Sequence, residues 1–187
     1  MVDGVAHVSE WSKHALGELV GLVEGARNEG KYLFIWDKQG SVATFMQYKG
    51  MLCPLAPEVL KVALGRQTHP DVAEFTRKAF INGMRNGENL CLDIDKSVPD
   101  WAAMNVEGTF VPNFFNFAWL KEEANYKPFV REDENHGPGG INPGFGFNYN
   151  AAFSVTIRSS AVEEADLEEQ ISKIPNFTTD FKMIIME

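Results

Sequence analysis

A chain of 187 residues, 44% hydrophobic and 23% charged, is long enough to bury a sizeable core and reads as one globular domain. Its formal net charge of −9 and pI near 5.0 disfavour nucleic acid or an acidic membrane surface as a partner, because phosphates would be repelled over most of the surface. No apolar run approaches the roughly 20 residues needed to span a bilayer.

Cys53 and Cys91 show no CxxC or Cys/His spacing, which argues against structural zinc. The segment Met1 to His7 has neither the basic opening nor the apolar stretch of a secretory signal. A reduced, intracellular setting is therefore expected.

Taken in order, Ser9 can cap a helix over about 10–28, with Trp11, Leu16, Leu19, Val20, Val23 and Ala26 at helical spacing and Gly30 as the stop. Gly17, Gly21 and Gly25 lie four apart on one face, a spacing that would admit a close neighbouring backbone. The continuous apolar run 31–36 predicts a strand covered on both faces. Ser41 can cap a short helix carrying Val42, Phe45 and Met46, although a hairpin strand competes for the same residues.

Pro57 fits the first turn of a helix over 58–64, closed by Gly65. Thr68 opens another whose apolar face is Val72, Phe75, Ala79, Phe80 and Met84, closed by Gly87. The run 89–94 is then a second buried strand, ending in Asp93 and Asp95. Two strands separated by a helical crossover predict a parallel pair with a right-handed connection.

From 98 to 150 the periodicity weakens. Phe110, Phe114, Phe115, Phe117 and Trp119 read as core, with a helix tolerated over 114–123. Residues 132–147 form a long Gly/Pro-rich loop that opens with the acidic Glu132-Asp133-Glu134, expected to be the least ordered part of the chain. Its alternative to a plain surface loop is a partner-binding segment anchored by Ile141 and Phe145. A strand over 152–158, an acidic helix over 162–174 and a strand over 181–186 complete a single α/β domain. Its sheet should be mostly parallel or mixed, hold at least four strands and carry helices on both faces.

Two segments carry chemistry-bearing patterns. The strand 31–36 followed by Asp37-Lys38-Gln39-Gly40-Ser41, together with the aspartate-ending strand at 90–93, resembles the P-loop NTPases in outline. A phosphate cradle needs GxxxxGK[ST], so that backbone amides wrap the phosphates and the lysine follows the glycine. Here Lys38 precedes Gly40. The resemblance thus implies an NTPase-like domain without hydrolysis and without a bound cofactor.

Leu92-Asp93-Ile94-Asp95-Lys96-Ser97-Val98 resembles the DxDx[TV] motif of the haloacid dehalogenase-like phosphatases. The resemblance implies Asp93 as nucleophile, Asp95 as general acid/base, magnesium between them, and Ser159 or Ser160 as the hydroxyl partner. The motif lies mid-chain, and no acidic ligand pair follows the strand at 181–186. A calcium loop beginning at Asp93 fails, because its sixth and twelfth positions are Val98 and Met104. His7, His14, His69 and His136 show no ligand spacing.

The expectation from sequence is a non-catalytic structural or interaction subunit of an intracellular protein assembly, in a cytoskeletal or axonemal setting. The alternative is a magnesium-dependent phosphatase or phosphotransferase using Asp93, Asp95 and Ser159. On the non-catalytic reading at least one of these aspartates caps a helix or pairs with a cation such as Lys38 or Lys96.

Overall fold

The computed structural model describes residues 5–187. In chain order the elements are β1 (Ser12–His14), α1 (Leu19–Asn28), β2 (Tyr32–Trp36), α2 (Ser41–Lys49), β3 (Met51–Pro54), α3 (Leu55–Ala63), α4 (His69–Asn86) and β4 (Asn89–Asp95). They continue with the short α5 (Phe117–Lys121) and α6 (Glu123–Tyr126), then β5 (Ser154–Ser159), α7 (Glu164–Lys173), the single turn α8 (Phe177–Asp180) and β6 (Phe181–Met186).

The six strands form one parallel sheet in the order β1-β6-β2-β5-β4-β3. The four strands expected from sequence all lie in it. β2 and β4 are parallel as anticipated, but they are not neighbours: β5 inserts between them and pairs with both. β5 arrives last of the three because the aromatic segment separates it from β4 in sequence.

Strand alternation divides the interior into two layers. Leu33, Ile35, Cys91, Ile184 and Met186 face α1 and α2, where Leu19, Val23, Ala26, Val42 and Met46 cover them. Tyr32, Phe34, Leu90, Leu92, Val155, Ile157 and Phe181 point the other way. They meet α3, α4, α7 and the aromatic segment. On that side Phe80 of α4 contacts Phe110, Phe114, Phe115 and Phe153, with ring centroids 5.0–6.1 Å apart. These rings are wholly buried, and each removes an area worth about 1.5–3 kcal/mol from water.

The helix expected over 10–28 begins only at Leu19. Ser12–His14 instead pairs with Ile184–Met186 as a parallel edge strand, and a 3₁₀ turn at Leu16–Glu18 joins the two elements. Trp11 belongs to this arrangement: its indole N–H donates to Ala6 O and its ring meets Phe34 edge-on at 5.9 Å. Strand pairing and the Trp11 anchor therefore override the helical spacing of the apolar residues. Gly21 and Gly25 do lie in α1, but no neighbour comes within 4 Å of a Cβ placed on either, nor on Gly17. The close approach that their spacing suggested does not occur.

β3 was not legible in sequence, and α3 starts at Leu55, ahead of the expected position, with Pro57 inside its first turn. Residues 41–49 are helical and not a hairpin strand. The helix tolerated over 114–123 is broken into Pro112–Phe115, a 3₁₀ turn, and α5. The break is at Asn116, whose side-chain oxygen caps α5 by accepting from Trp119 N at 2.8 Å. α4 follows the sequence closely: Thr68 and Asp71 form a capping box, and Gly87 closes the helix at φ 71°.

Among the described residues, no helix is long and apolar enough to cross a membrane.

Candidate functional site: an arginine held by three aspartates

β2 leads through α2 toward β3 at one edge, while its neighbour β5 leads through α7 to β6 on the other side. The two connections leave over opposite faces of the sheet, α2 in the layer with Leu33 and Ile35 and α7 in the layer with Phe34 and Ile157, and the carboxyl ends of strands at such a point are where open α/β sheets bind ligands. Asp37 follows β2, Asp93 and Asp95 end β4, and Arg158 lies near the end of β5. Asp93 and Arg158 are register partners on adjacent strands, so their side chains leave the same face of the sheet.

Arg158 is only 4% exposed. Its Nε donates to Asp37 Oδ2 at 3.2 Å, its Nη2 to Asp37 O at 3.0 Å, and its Nη1 to Asp93 Oδ1 at 2.9 Å. Nη1 also reaches Asp95 Oδ1 at 3.5 Å. One guanidinium therefore spans three carboxylates on two neighbouring strands. Burial alone would lower its proton affinity; the hydrogen bond and charge of Asp93, with the charge of Asp37, outweigh that and raise it above the ordinary arginine value.

Asp37 is fully buried and orders the start of α2. Its carboxylate accepts from Gly40 N at 3.1 Å, Val42 N at 2.9 Å and Ser41 Oγ at 3.3 Å. Gly40, at φ 77°, turns the chain so that these amides point back at Asp37. The donors that would have to face a phosphate are thus already turned on an internal carboxylate. Lys38 folds back over the Trp36 ring, 4.2 Å from its centroid.

Asp95 is the accessible member, with its side chain half-exposed. A bulge between Asp93 and Asp95 and a positive φ of 47° turn it out of the strand. Ser160 donates its hydroxyl to Asp95 Oδ1, and its amide donates to Asp95 O at 2.9 Å. Gln170 of α7 secures the same corner, donating to Asp95 O at 3.0 Å and Ser97 O at 2.8 Å.

Of the residues singled out by the phosphatase-like motif, the fold brings Asp93, Asp95 and Ser160 together. It does not bring Ser159. That side chain points to the opposite face, where its hydroxyl donates to Gln170 and accepts from Ala161 N.

The pairing cation is Arg158, not Lys38 or Lys96, and the helix-capping aspartate is Asp37. Arg158 Nη1 bonds one oxygen of Asp93 and reaches one of Asp95, so a magnesium ion between these two carboxylates would share its place with a guanidinium. Among the described residues, no group of three or more His, Cys, Asp or Glu side chains is arranged to hold a metal. Cys91 is buried beneath this site, where burial first and then the Asp93 charge raise its thiol pKa well above the usual range. Burial pushes Cys53 up to about 12. Neither thiol is poised as a nucleophile.

Ile141 and Phe145 are far from this cluster in sequence and lie 63% and 81% exposed. The base of their loop is tied to α4. Arg77, fully buried, donates to both oxygens of Glu134 at 2.5 and 2.8 Å, to Glu74 at 2.8 and 2.9 Å, and to Phe129 O at 2.7 Å. Arg85 donates to Glu134 O at 3.1 Å. The loop expected to be least ordered is thus fastened at one end by two arginines of a long helix. The sequence signal was present: Arg77 interrupts the apolar face of α4.

Compared with known proteins, the chain matches no family model, no curated protein and no solved structure.

Proposed function

We propose that this chain is a non-catalytic interaction or structural subunit of an intracellular protein assembly, built on an NTPase-like α/β scaffold without nucleotide chemistry. The observation that carries the reading is the placement of Arg158. It occupies the space among Asp37, Asp93 and Asp95 where a phosphoryl group or its metal would have to sit. A cation built into the fold neutralises the carboxylates, and the amides at the start of α2 are committed to Asp37.

The contacting element on this reading is the 132–147 loop, with Ile141 and Phe145 as apolar anchors. Loops held on a rigid scaffold carry binding residues disproportionately, and this one holds two large exposed apolar side chains. A cytoskeletal or axonemal home is the finer form of the proposal; the unpaired, buried cysteines agree with a reducing compartment.

The competing reading is a magnesium-dependent phosphatase or phosphotransferase. Its support is the half-exposed Asp95 beside Asp93 and Ser160. Two assays on the full chain separate the readings. Capture of partners from native extract should be lost in Ile141→Asp and Phe145→Asp and kept in Asp95→Asn. Turnover of an aryl phosphate with magnesium that vanishes in Asp93→Asn would overturn the proposal.

A further inference from the structure

The turn that follows β4 and the helix α7 enclose a cavity of about 350 Å³ between them. Residues 98–102 form one wall, and Glu169 and Lys173 stand on the other. β4 and β5 are neighbours, so the cavity lies beyond the carboxyl ends of two adjacent strands, where open α/β sheets take ligands. Its volume falls within the roughly 300–1,000 Å³ of small-molecule sites. Both walls are fixed. Gln170 donates to Ser97 O at 2.8 Å and ties α7 to the start of the turn. Asp100 Oδ1 accepts from Ala103 N at 2.9 Å and holds the turn closed. Trp101, only 2% exposed, packs edge-on against Phe115 with ring centroids 4.8 Å apart.

Three polar groups at this cavity lack a partner within the protein. The Trp101 indole N–H is buried and finds no acceptor among the described residues, a costly state for a donor. Glu169 and Lys173 are one turn apart on α7, a spacing at which Glu and Lys ordinarily pair and at which Glu123 and Lys127 do so at 2.6 Å. Among the described residues these two charges pair neither with each other nor with another side chain. Indole and ammonium groups only donate, and carboxylates only accept. An occupant that satisfies all three carries an anionic acceptor for Trp101 and Lys173 and a cationic donor for Glu169. Val98, Pro99 and Ala102 add an apolar wall.

We propose that this cavity binds a free aliphatic α-amino acid. Its carboxylate is taken by the Trp101 indole N–H and Lys173, its ammonium by Glu169, and its side chain by the apolar wall. With Asp100 and Glu169 the lining carries two negative charges against the one of Lys173, which disfavours a simple anion such as phosphate and suits a zwitterion. A peptide carries its two charged termini far apart, so the free amino acid is the form that matches. The site uses neither Arg158 nor the 132–147 loop, and it stands whatever assembly the chain belongs to.

N–H correlation spectra of the isotope-labelled full chain, titrated with L-leucine, test the proposal. The Trp101 indole resonance is assigned through its contact with the Phe115 ring. Leucine should move it saturably. The Trp11 and Trp36 indoles, which already donate to Ala6 O and Ala161 O, should stay in place. Isocaproate lacks the ammonium and isoamylamine lacks the carboxylate, so each should bind about tenfold or more weakly than leucine. Glu169→Gln and Lys173→Met, at exposed positions of α7, keep the fold and should weaken leucine by a similar factor. A Trp101 resonance unmoved up to the solubility limit of leucine, equal binding by either half-molecule, or undiminished leucine binding in either variant would overturn the assignment.

Discussion

Arg158 and Asp93 face each other across β5 and β4 as register partners, with Nη1 2.9 Å from Oδ1. The pair turns what reads as a catalytic DxD strand end into an internally compensated one. Asp37 completes it from the other neighbouring strand, at 3.2 Å from the Arg158 Nε.

The three aspartates should not be equivalent. Asp37 is fully buried and accepts four hydrogen bonds through its carboxylate. Asp37→Ala leaves Arg158 buried beside missing charge and uncaps α2, and should destabilise the protein by about 3–5 kcal/mol. Asp95 is half-exposed, so Asp95→Asn should cost about 0–1 kcal/mol. Urea unfolding of both variants at neutral pH checks this ordering, and equal effects would contradict it.

The loop anchor predicts acid sensitivity of a defined kind. For Glu74, the hydrogen bond from Arg77 lowers the carboxyl below the ordinary glutamate value near 4.5. For Glu134, burial would raise it, but the Arg77 and Arg131 contacts outweigh burial and lower it. A carboxylate lowered in the folded state contributes stability that is present above its unfolded value and lost as pH falls through its folded one. Stability should therefore decline below about pH 4.5. Arg77→Met should cost about 3–5 kcal/mol at neutral pH, since it leaves Glu134 unpaired, and it should flatten the acid limb. Melting temperatures from pH 7 down to pH 3 report both effects.

Two glycines with opposite surroundings test the packing of the two layers. A Cβ on Gly83 of α4 would sit 2.7 Å from the Phe153 ring and 3.6 Å from Leu90. Gly83→Ala should destabilise by about 1–3 kcal/mol through overpacking, despite the better helix propensity of alanine. On α1 nothing lies within 4 Å of the same atom on Gly21. Gly21→Ala should stabilise by about 0.5–1 kcal/mol. Thermal melts of the two variants should move in opposite directions.

The apolar runs of β2 and β4, the alternation of β5 and the capped α4 were legible because each is long or strongly patterned. β1 and β3 were not: at three and four residues, edge strands are too short to show a period. Ser12–His14 also sits inside a spacing that mimics a helix.

The site was half legible. A strand ending in Asp93 and Asp95 pointed to the right end of the sheet, but Arg158 was read only as part of an alternating strand. Thr156 and Arg158 share the face opposite Val155 and Ile157. A basic residue closing that polar stripe is the signal that sequence carried. Which aspartates it meets depends on β5 inserting between β2 and β4, and strand order is not written in any local pattern. The tether of the 132–147 loop was hidden for a similar reason, since Arg77 and Glu134 are 57 residues apart in the chain.

The most direct measurement is the melting temperature of the full chain titrated with magnesium, alone and with a phosphate analogue such as beryllofluoride, in the native sequence and in Asp93→Asn. If Arg158 fills the site, neither addition raises the melting temperature specifically, and Asp93→Asn is neutral or destabilising because it weakens the Arg158 pair. A ligand at a hundred times its dissociation constant would stabilise the fold by about 2.7 kcal/mol. A rise of that size that disappears in Asp93→Asn would contradict the account and establish Asp93 as a magnesium ligand.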